Sequence, residues 1–192
     1  MINLRTPFYL ASKSPRRRKL LKLLGFPFKS FSVDLHEEIL DGEHPVKTVK
    51  RLSNDKMNLA EKKVKEGIIL CADTIVVLNK QIIGKPKNKK DAERILKLLS
   101  GKTHNVYTGY TLHNNTNGRK ITGYEKTRVT FRELTNMEII DYIQTGSPMD
   151  KAGAYGYQDD FGSVFVKKIN GCYYNVIGLP ISSVYHSLLE II

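Results

Sequence analysis

The stretch IILCADTIVVL, from Ile68 to Leu78, is the most continuous apolar run in the chain, and the other predicted elements are arranged around it. An almost continuous apolar run of this length is typical of a central strand that is buried on both faces. Asp73 and Thr74 interrupt the run. A carboxylate inside such a strand is costly unless it is paired, binds a metal or lies at a cleft. Asp73 is therefore a candidate for metal binding or activation of water, and a role in a local turn is the alternative.

The segments on either side of this strand alternate between helical and extended patterns. Helices are predicted from Pro15 to Gly25, Pro45 to about Glu66, Asp91 to Leu99, Asn136 to Gln144, and after Pro180. Strands are predicted at Phe8–Ala11, Phe26–Val33, Val106–Leu112, Thr122–Phe131 and Phe165–Ile169. With no internal repeat or low-complexity linker, the pattern predicts a single α/β domain over residues 1–192, split by a cleft.

Composition indicates an ordinary soluble globular chain. Of 192 residues, 41% are hydrophobic and 26% are charged, as in average soluble domains. No apolar run approaches the roughly 20 residues that cross a bilayer, and the N-terminus has no secretory pattern. The two cysteines, Cys71 and Cys172, form no metal or disulfide motif. We therefore expect a cytoplasmic protein with no membrane association.

The formal net charge of +12 suits an anionic partner such as nucleic acid or nucleotide phosphates. The alternative is a compositional bias toward solvated lysines, of which the runs within residues 62–65 and 85–90 are examples. No helix-turn-helix, zinc or RNA-recognition signature is present, and the basic residues are spread along the chain. A stable nucleic-acid partner is therefore not expected.

The segment LASKSPRRR, residues 10–18, brings two hydroxyls and a basic cluster to the start of a helix. Ser14 is predicted to be the N-cap and Pro15 the first helical residue. Free backbone N–H groups and the helix dipole attract an anion there, and arginine offers a fork of donors that matches phosphate. A capped helix whose first turn is merely basic is the alternative, although cations at that end oppose the dipole.

Two further motifs carry residues that could bind phosphate or take part in catalysis. SGKTH, residues 100–104, lacks the upstream glycine of a P-loop and precedes a strand-like segment, so a Walker ATPase is excluded. His104, beside a strand, is expected to be a structural hydrogen-bond partner, and a role as a catalytic base is the alternative. Gly84-Lys85-Pro86 adds a cation after a short strand.

The segment DKAGAYGYQ, residues 150–158, combines small residues with an amide at Gln158. An amide can pair with the imide edge of uracil or thymine because it both donates and accepts. Asp150 and Lys151 are expected, as the commoner outcome, to form an ion pair at the surface.

Taken in order, these motifs and GCYYNVIGLP, residues 171–180, resemble the Maf family over nearly the whole chain. The resemblance implies a fold similar to the inosine triphosphatase group, a mixed β-sheet flanked by helices in two lobes around a central cleft. It implies a cytoplasmic, homodimeric nucleoside triphosphate pyrophosphatase that cleaves between the α- and β-phosphates with a divalent cation, Mg²⁺ or Mn²⁺.

The resemblance also implies roles for individual residues. Asp73 matches the catalytic base, and Glu37 lies where a second metal-associated acid is expected. The groups expected around the triphosphate are Ser12, Ser14, Arg16, Arg17, Lys56 and Lys85. Met57 follows Lys56 where a small residue is usual, which predicts a change in helix packing only.

Arg16, Thr74 and Gln158 resemble the branch that acts on dTTP and UTP. Asp159 and Asp160 follow Gln158 where the family is richer in glycine. Two alternatives stay open: a Maf-type enzyme that prefers 7-methyl-GTP, and a basic nucleic-acid-binding regulator of cell division without catalytic activity.

Overall fold

A computed structural model of the chain describes residues 4, 6–158 and 161–192; Asp159 and Asp160 lie outside the described residues. Its strands are β1 Phe8–Ala11, β2 Lys29–Phe31, β3 Ile68–Leu78, β4 Gln81–Ile83, β5 Thr103–Asn114, β6 Lys120–Phe131 and β7 Val166–Asn170. Its α-helices are α1 Pro15–Lys22, α2 Pro45–Ala60, α3 Lys89–Leu99, α4 Asn136–Gln144, α5 Tyr173–Ile177 and α6 Ile181–Ile191. None of these helices is both long enough and apolar enough to cross a membrane.

The strands form one seven-stranded mixed sheet in the order β2-β1-β3-β5-β6-β7, with β4 paired to β3. Strand β1 runs parallel to both β2 and β3, as expected where helices connect the strands. Strand β4 returns antiparallel along the end of β3 through a tight turn at Asn79 and Lys80, both with positive φ. Strand β7 is antiparallel to β6. The predicted fold class, a mixed sheet flanked by helices, is confirmed.

The chain divides into two compact units. The first contains the described residues up to Asp73, together with Thr108–Glu125 and Gly178–Ile192. The second contains Thr74–Tyr107 and Lys126–Ile177. A single domain over residues 1–192 stays a prediction.

The core of the first unit includes helix α2 and strand β3. Met57 on α2 is fully buried in a cluster with Ala11, Ala60, Ile69 and Cys71. Its burial removes a large apolar side chain from water, worth about 1.5–3 kcal/mol. The unusual methionine after Lys56 therefore fills core space.

Helix α2 also lies directly against strand β5 in this unit. A Cβ added at Gly109 would lie 2.2 Å from the backbone oxygen of Val49, a distance that no side chain can accept. Glycine at this position therefore permits the close approach of helix and strand.

Aromatic rings dominate the core of the second unit. Phe131, Tyr142 and Phe165 are fully buried, and Phe131 contacts Tyr155 edge-on at 4.7 Å between ring centroids. Helix α4 begins with a capping box in which Thr135 and Glu138 satisfy each other's backbone N–H groups.

Two predicted elements differ clearly in extent from the structure. The predicted strand Phe26–Val33 was too long, because only β2 pairs with a neighbour and Pro27 has no N–H to donate to a ladder. Helix α2 ends at Ala60, short of Glu66, and continues as a 3₁₀ turn over Glu61–Lys63. Helix α5 was not predicted.

Candidate active site

The turn between β1 and α1 uses both of its serine hydroxyls. Ser14 has extended backbone angles, and its side chain accepts a hydrogen bond from the N–H of Arg17 at 3.4 Å. The N–H of Ser14 donates to the Ser12 hydroxyl at 3.2 Å. The N-cap at Ser14 and the start at Pro15 are therefore confirmed. Arg16 is half-buried in the first helical turn, which contains no acid, and anion binding at this turn stays a prediction.

Arg17 is tied to the far end of the sequence. Its Nε donates to the carbonyl oxygen of Gly178 at 2.8 Å. Desolvation lowers the pKa of the Arg17 guanidinium, and the charges of Asp73 and Glu37 are close enough to oppose that shift. The first unit thus gathers Arg17 and both of the predicted acids in one region.

Asp73 lies in the middle of strand β3 with its side chain 6% exposed. The Nζ of Lys56, on α2, donates to its Oδ1 and also lies 2.7 Å from Oε1 of Glu37. The Lys56 side chain is itself 11% exposed. The interpretation of Asp73 as a turn residue is therefore wrong, because the residue is inside an eleven-residue strand. A buried charge in this position is stabilised by its partner.

Two carboxylates, those of Glu37 and Asp73, thus share one ammonium group. Together with the nearby guanidinium of Arg17, these side chains carry a formal net charge of zero when all are ionised. Among the described residues, no group of three or more His, Cys, Asp or Glu could hold a metal ion. Two carboxylates fit Mg²⁺ or Mn²⁺, which prefer oxygen ligands and use one or two carboxylates with water and substrate phosphates.

The second unit joins two motifs that are distant in sequence. The N–H of Gly153 donates to the carbonyl of Gly84 at 3.1 Å, which places residues 150–158 against the segment that carries Lys85. Gly153 has φ +74, and a Cβ there would lie 2.9 Å from a methyl group of Val76. Glycine is therefore required for this contact. The Lys85 side chain is exposed, and Thr74 is half-buried in β3.

Gln158 has a buried side-chain oxygen, Oε1, with no hydrogen-bond partner among residues 4, 6–158 and 161–192. Buried polar atoms in native proteins are nearly always paired, so an orphaned amide oxygen calls for a ligand or water. The preceding residue, Tyr157, contacts the ring of Tyr173 edge-on at 5.3 Å. Asp150 and Lys151 form the predicted ion pair at 2.9 Å, but the Lys151 side chain is only 10% exposed, so the predicted surface position holds for Asp150 alone.

The SGKTH motif is structural. It follows the end of α3 and leads into β5, whereas a P-loop connects a strand to a helix, so the exclusion of a Walker site is confirmed. The Ser100 hydroxyl accepts from the N–H of Leu134 at 2.8 Å. His104 is buried and shares a hydrogen bond with the Tyr155 hydroxyl at 2.8 Å. Its predicted role as a structural partner is confirmed.

Burial lowers the pKa of His104 from 6.5 to about 4, which makes stability depend on pH. Between about pH 6.5 and pH 4, His104 is protonated in the unfolded chain but neutral in the folded chain. The free energy of unfolding therefore falls as the pH is lowered through this range. The advantage of the wild type over His104→Gln should therefore shrink by about 3 kcal/mol between pH 7 and 4. Urea unfolding at each pH measures this, with the exposed His186→Gln as the control. Parallel curves for wild type and His104→Gln would contradict the prediction.

The sequence reasoning missed one arginine near the site and one buried polar residue of the second unit. Arg51 binds Glu43 across the start of α2, and this spacing of eight residues carries no helical signal. Asn175 is fully buried, and its Nδ2 donates to the Val106 carbonyl at 3.1 Å and to the Thr127 hydroxyl at 2.9 Å. An asparagine inside an otherwise apolar motif was the available signal.

A family model and several known proteins match this chain over most of its length. The model of a family described as Maf-like protein matches residues 7–191. A protein named dTTP/UTP pyrophosphatase from Syntrophomonas wolfei is 46% identical over 179 residues, covering 93% of this chain and 94% of its own length. A protein of the same name from Bacillus pumilus is 47% identical over 173 residues, covering 90% of each chain.

A solved structure of a HAM1 protein from Coxiella burnetii is similar in fold. It superposes with a TM-score of 0.52 over 96% of this chain and 98% of that chain, at 13% sequence identity. A likeness at this identity concerns the fold alone. It agrees with the mixed sheet flanked by helices that the sequence predicts.

Proposed function

Since this chain belongs to the Maf family, whose model matches residues 7–191, we propose that it hydrolyses dTTP and UTP to the nucleoside monophosphate and pyrophosphate. The observation that carries this conclusion is the likeness to relatives named dTTP/UTP pyrophosphatase. Four of them are 43–47% identical over 90–95% of the chain. The protein is thus a hydrolase that acts on nucleoside triphosphates.

In the proposed reaction, Asp73 is the general base. The oxygen of a water molecule bonds to the α-phosphorus, its proton passes to the Asp73 carboxylate, and the bond from the α-phosphorus to the bridging oxygen breaks. Pyrophosphate leaves with that oxygen. The hydrogen bond from Lys56 to Oδ1 orients the carboxylate, and burial in β3 keeps it in one position. General base catalysis of this kind contributes about 10²- to 10⁴-fold.

Glu37 and Asp73 are the residues proposed to hold a divalent cation, Mg²⁺ or Mn²⁺. When bound, such a cation neutralises charge that develops on the phosphate oxygens. Lys56 contacts both carboxylates and keeps them close to each other. Ser12, Ser14, Arg16 and Arg17 at the β1–α1 turn, and Lys85 in the second unit, are proposed to bind the triphosphate. Guanidinium forks and helix N–H groups suit phosphate oxygens.

Gln158, in the second unit, is proposed to contact the pyrimidine base. Thr74 and Arg16 are the other two residues proposed to determine which base is accepted. The orphaned, buried Oε1 of Gln158 supports this role, because it can accept the N3–H of uracil or thymine. The neighbouring Tyr157–Tyr173 contact supplies aromatic surface of the kind on which bases stack.

The reaction is tested by incubating the purified protein with UTP or dTTP and Mg²⁺. The expected products are equal amounts of nucleoside monophosphate and pyrophosphate, separated by ion-exchange chromatography. Release of orthophosphate with a nucleoside diphosphate, or no turnover of any triphosphate, would exclude the proposed reaction.

Base specificity provides a second test. Because a site that pairs with one base edge rejects analogues that leave its polar groups unpaired, kcat/KM for UTP and dTTP should exceed that for 7-methyl-GTP by at least about tenfold. Gln158→Glu should reduce this margin, since a carboxylate accepts but cannot donate. Gln144→Glu, at an exposed position on α4, is the control. Equal or faster hydrolysis of 7-methyl-GTP by the wild type would assign the chain to the other branch.

The resemblance implies a homodimer, which light scattering on the purified chain would measure. It also implies a cytoplasmic location, which fractionation of cells would measure.

A further inference from the structure

Glu37 is held in the first unit by an irregular part of the chain. It lies in residues 32–44, hereafter the 32–44 segment, which connects β2 to α2 without regular secondary structure. The Glu37 side chain is 37% exposed, so burial alone does not fix it. An irregular segment that must hold one carboxylate in place needs specific contacts, because ordering the backbone costs about 1–2 kcal/mol per residue.

Arg51 on α2 supplies such contacts at two points. Its Nη2 lies 2.7 Å from Oε2 of Glu43, and its Nε donates to Oε1 of the same carboxylate at 3.1 Å. The Nη2 also donates to the backbone carbonyl of Glu38 at 2.9 Å. Glu38 follows Glu37 directly in the chain. One guanidinium thus fixes both the middle and the end of the 32–44 segment.

The pair formed by Arg51 and Glu43 is shielded from water. The Glu43 side chain is 4% exposed and that of Arg51 is 25% exposed. The hydrogen bonds from Arg51 lower the pKa of Glu43, so the carboxylate stays ionised at neutral pH. Bidentate pairs of this type are stronger and more directional than an exposed ion pair, which contributes about 0–1 kcal/mol.

Helix α2 carries two of the groups that contact the 32–44 segment. Lys56 reaches the Glu37 carboxylate at 2.7 Å, and Arg51 reaches the next residue's carbonyl. The helix is itself anchored by its buried face, which includes Val49 and Leu52. The helix therefore determines where the carboxylate of Glu37 lies relative to Lys56 and Asp73.

We propose that Arg51 is a positioning residue for the hydrolysis, which holds Glu37 at Lys56 and Asp73 by fixing the 32–44 segment to α2. The proposal rests on the proposed function for its kinetic consequences. Arg51 acts through the segment and touches neither substrate nor metal. Lysine could not replace Arg51. An ammonium group lacks the planar fork that binds a carboxylate through two parallel N–H groups while it also donates to a backbone carbonyl.

The first experiment measures the segment itself, without metal or nucleotide. In Arg51→Met, amide hydrogens of the 32–44 segment should exchange at least about tenfold faster than in the wild type, because the bonds that close the segment are gone. Exchange in α2 should change much less. Unchanged exchange in the segment would overturn the proposal, and this result does not depend on what the enzyme hydrolyses.

The second experiment measures UTP hydrolysis. Arg51→Met should lower kcat about tenfold with KM for UTP within about twofold, since a 1 Å misplacement can cost about 100-fold. In the Glu37→Gln background, the same substitution should have no further effect, because residues that act through one another are not additive. Equal losses in both backgrounds would overturn the proposal. If the wild type does not hydrolyse UTP, the proposed function fails while the exchange result still stands.

A matched control separates positioning from general stability. Arg132 in the second unit binds Glu138 through two nitrogens, at 2.6 and 3.1 Å, and its Nε donates to the Val164 carbonyl at 2.8 Å. Arg132→Met removes the same chemistry and should lower the melting temperature without lowering kcat. A fall in kcat as large as that of Arg51→Met would overturn the proposal. Glu43→Gln, which weakens the pair with little change in shape, repeats the test should Arg51→Met fail to fold.

Discussion

Asp73→Asn is expected to lower kcat for UTP hydrolysis by about 10²- to 10⁴-fold, the range that general base catalysis contributes. Asparagine has nearly the shape of aspartate but cannot take a proton from water at neutral pH. It also binds a cation more weakly than a carboxylate does. Its side-chain oxygen can still accept the hydrogen bond that Lys56 now donates to Oδ1, so the fold should persist. Steady-state release of pyrophosphate measures the loss, and circular dichroism checks the fold.

The control for this variant is Asp91→Asn. Asp91 also binds a basic partner, Arg94, at 2.8 Å, but it lies at the start of α3 in the second unit. Its replacement should leave kcat unchanged, which shows that losing a paired carboxylate is not enough to stop turnover. Should purified Asp73→Asn keep more than about a tenth of the wild-type rate, Asp73 is not the base.

Features with a local physical cause could be predicted from the sequence. Ser14 and Pro15 predict the start of α1. An N-cap hydroxyl and a proline without an N–H are suited to the first positions of a helix, independently of its tertiary contacts. Asp73 could be singled out because a charge inside an apolar run is costly wherever the strand lies. Helix α4 was predicted with its observed bounds, and the capping box at its start lies within the segment itself.

Features that depend on packing between distant segments could not be predicted. Nothing in the spacing of Glu37, Lys56 and Asp73 indicates that one ammonium contacts both carboxylates, because their meeting depends on how α2 lies against β3. The bond from Gly153 to Gly84 joins segments almost 70 residues apart for the same reason. Helix α5 could not be predicted, because five residues are too few for the spacing of apolar residues to show a helical period.

The family resemblance implies roles for Glu37 and Lys56 that their spacing in the sequence does not indicate. The structure adds a constraint that the resemblance did not contain. Lys56 is bound to two carboxylates, so it should contribute less to triphosphate binding than a cation without acidic neighbours does. Lys85, which has an exposed side chain, is therefore the cation whose removal should most affect phosphate binding, and Arg17 at the start of α1 is tested beside it.

Arg17→Ala and Lys85→Ala should each lower kcat/KM for UTP by roughly ten- to a hundredfold. Each variant removes a cation from phosphate oxygens, and hydrogen bonds to charged groups contribute about 1.5–3 kcal/mol apiece. Lys85 gives the cleaner result, because its side chain is exposed and its loss should leave the melting temperature unchanged. Lys87→Ala, an exposed lysine two residues away, removes the same charge from the same segment and should have little effect.

Arg17 needs a second variant, because its Nε also donates to the Gly178 carbonyl and Arg17→Ala breaks that bond. Arg17→Lys keeps the charge but loses the fork, so an activity between those of the wild type and Arg17→Ala indicates that charge and geometry both contribute. Binding of inorganic tripolyphosphate, which has no base or sugar, should weaken in the Arg17 and Lys85 variants alike. If kcat/KM and tripolyphosphate binding are both unchanged in Arg17→Ala and Lys85→Ala, the triphosphate binds elsewhere on the protein.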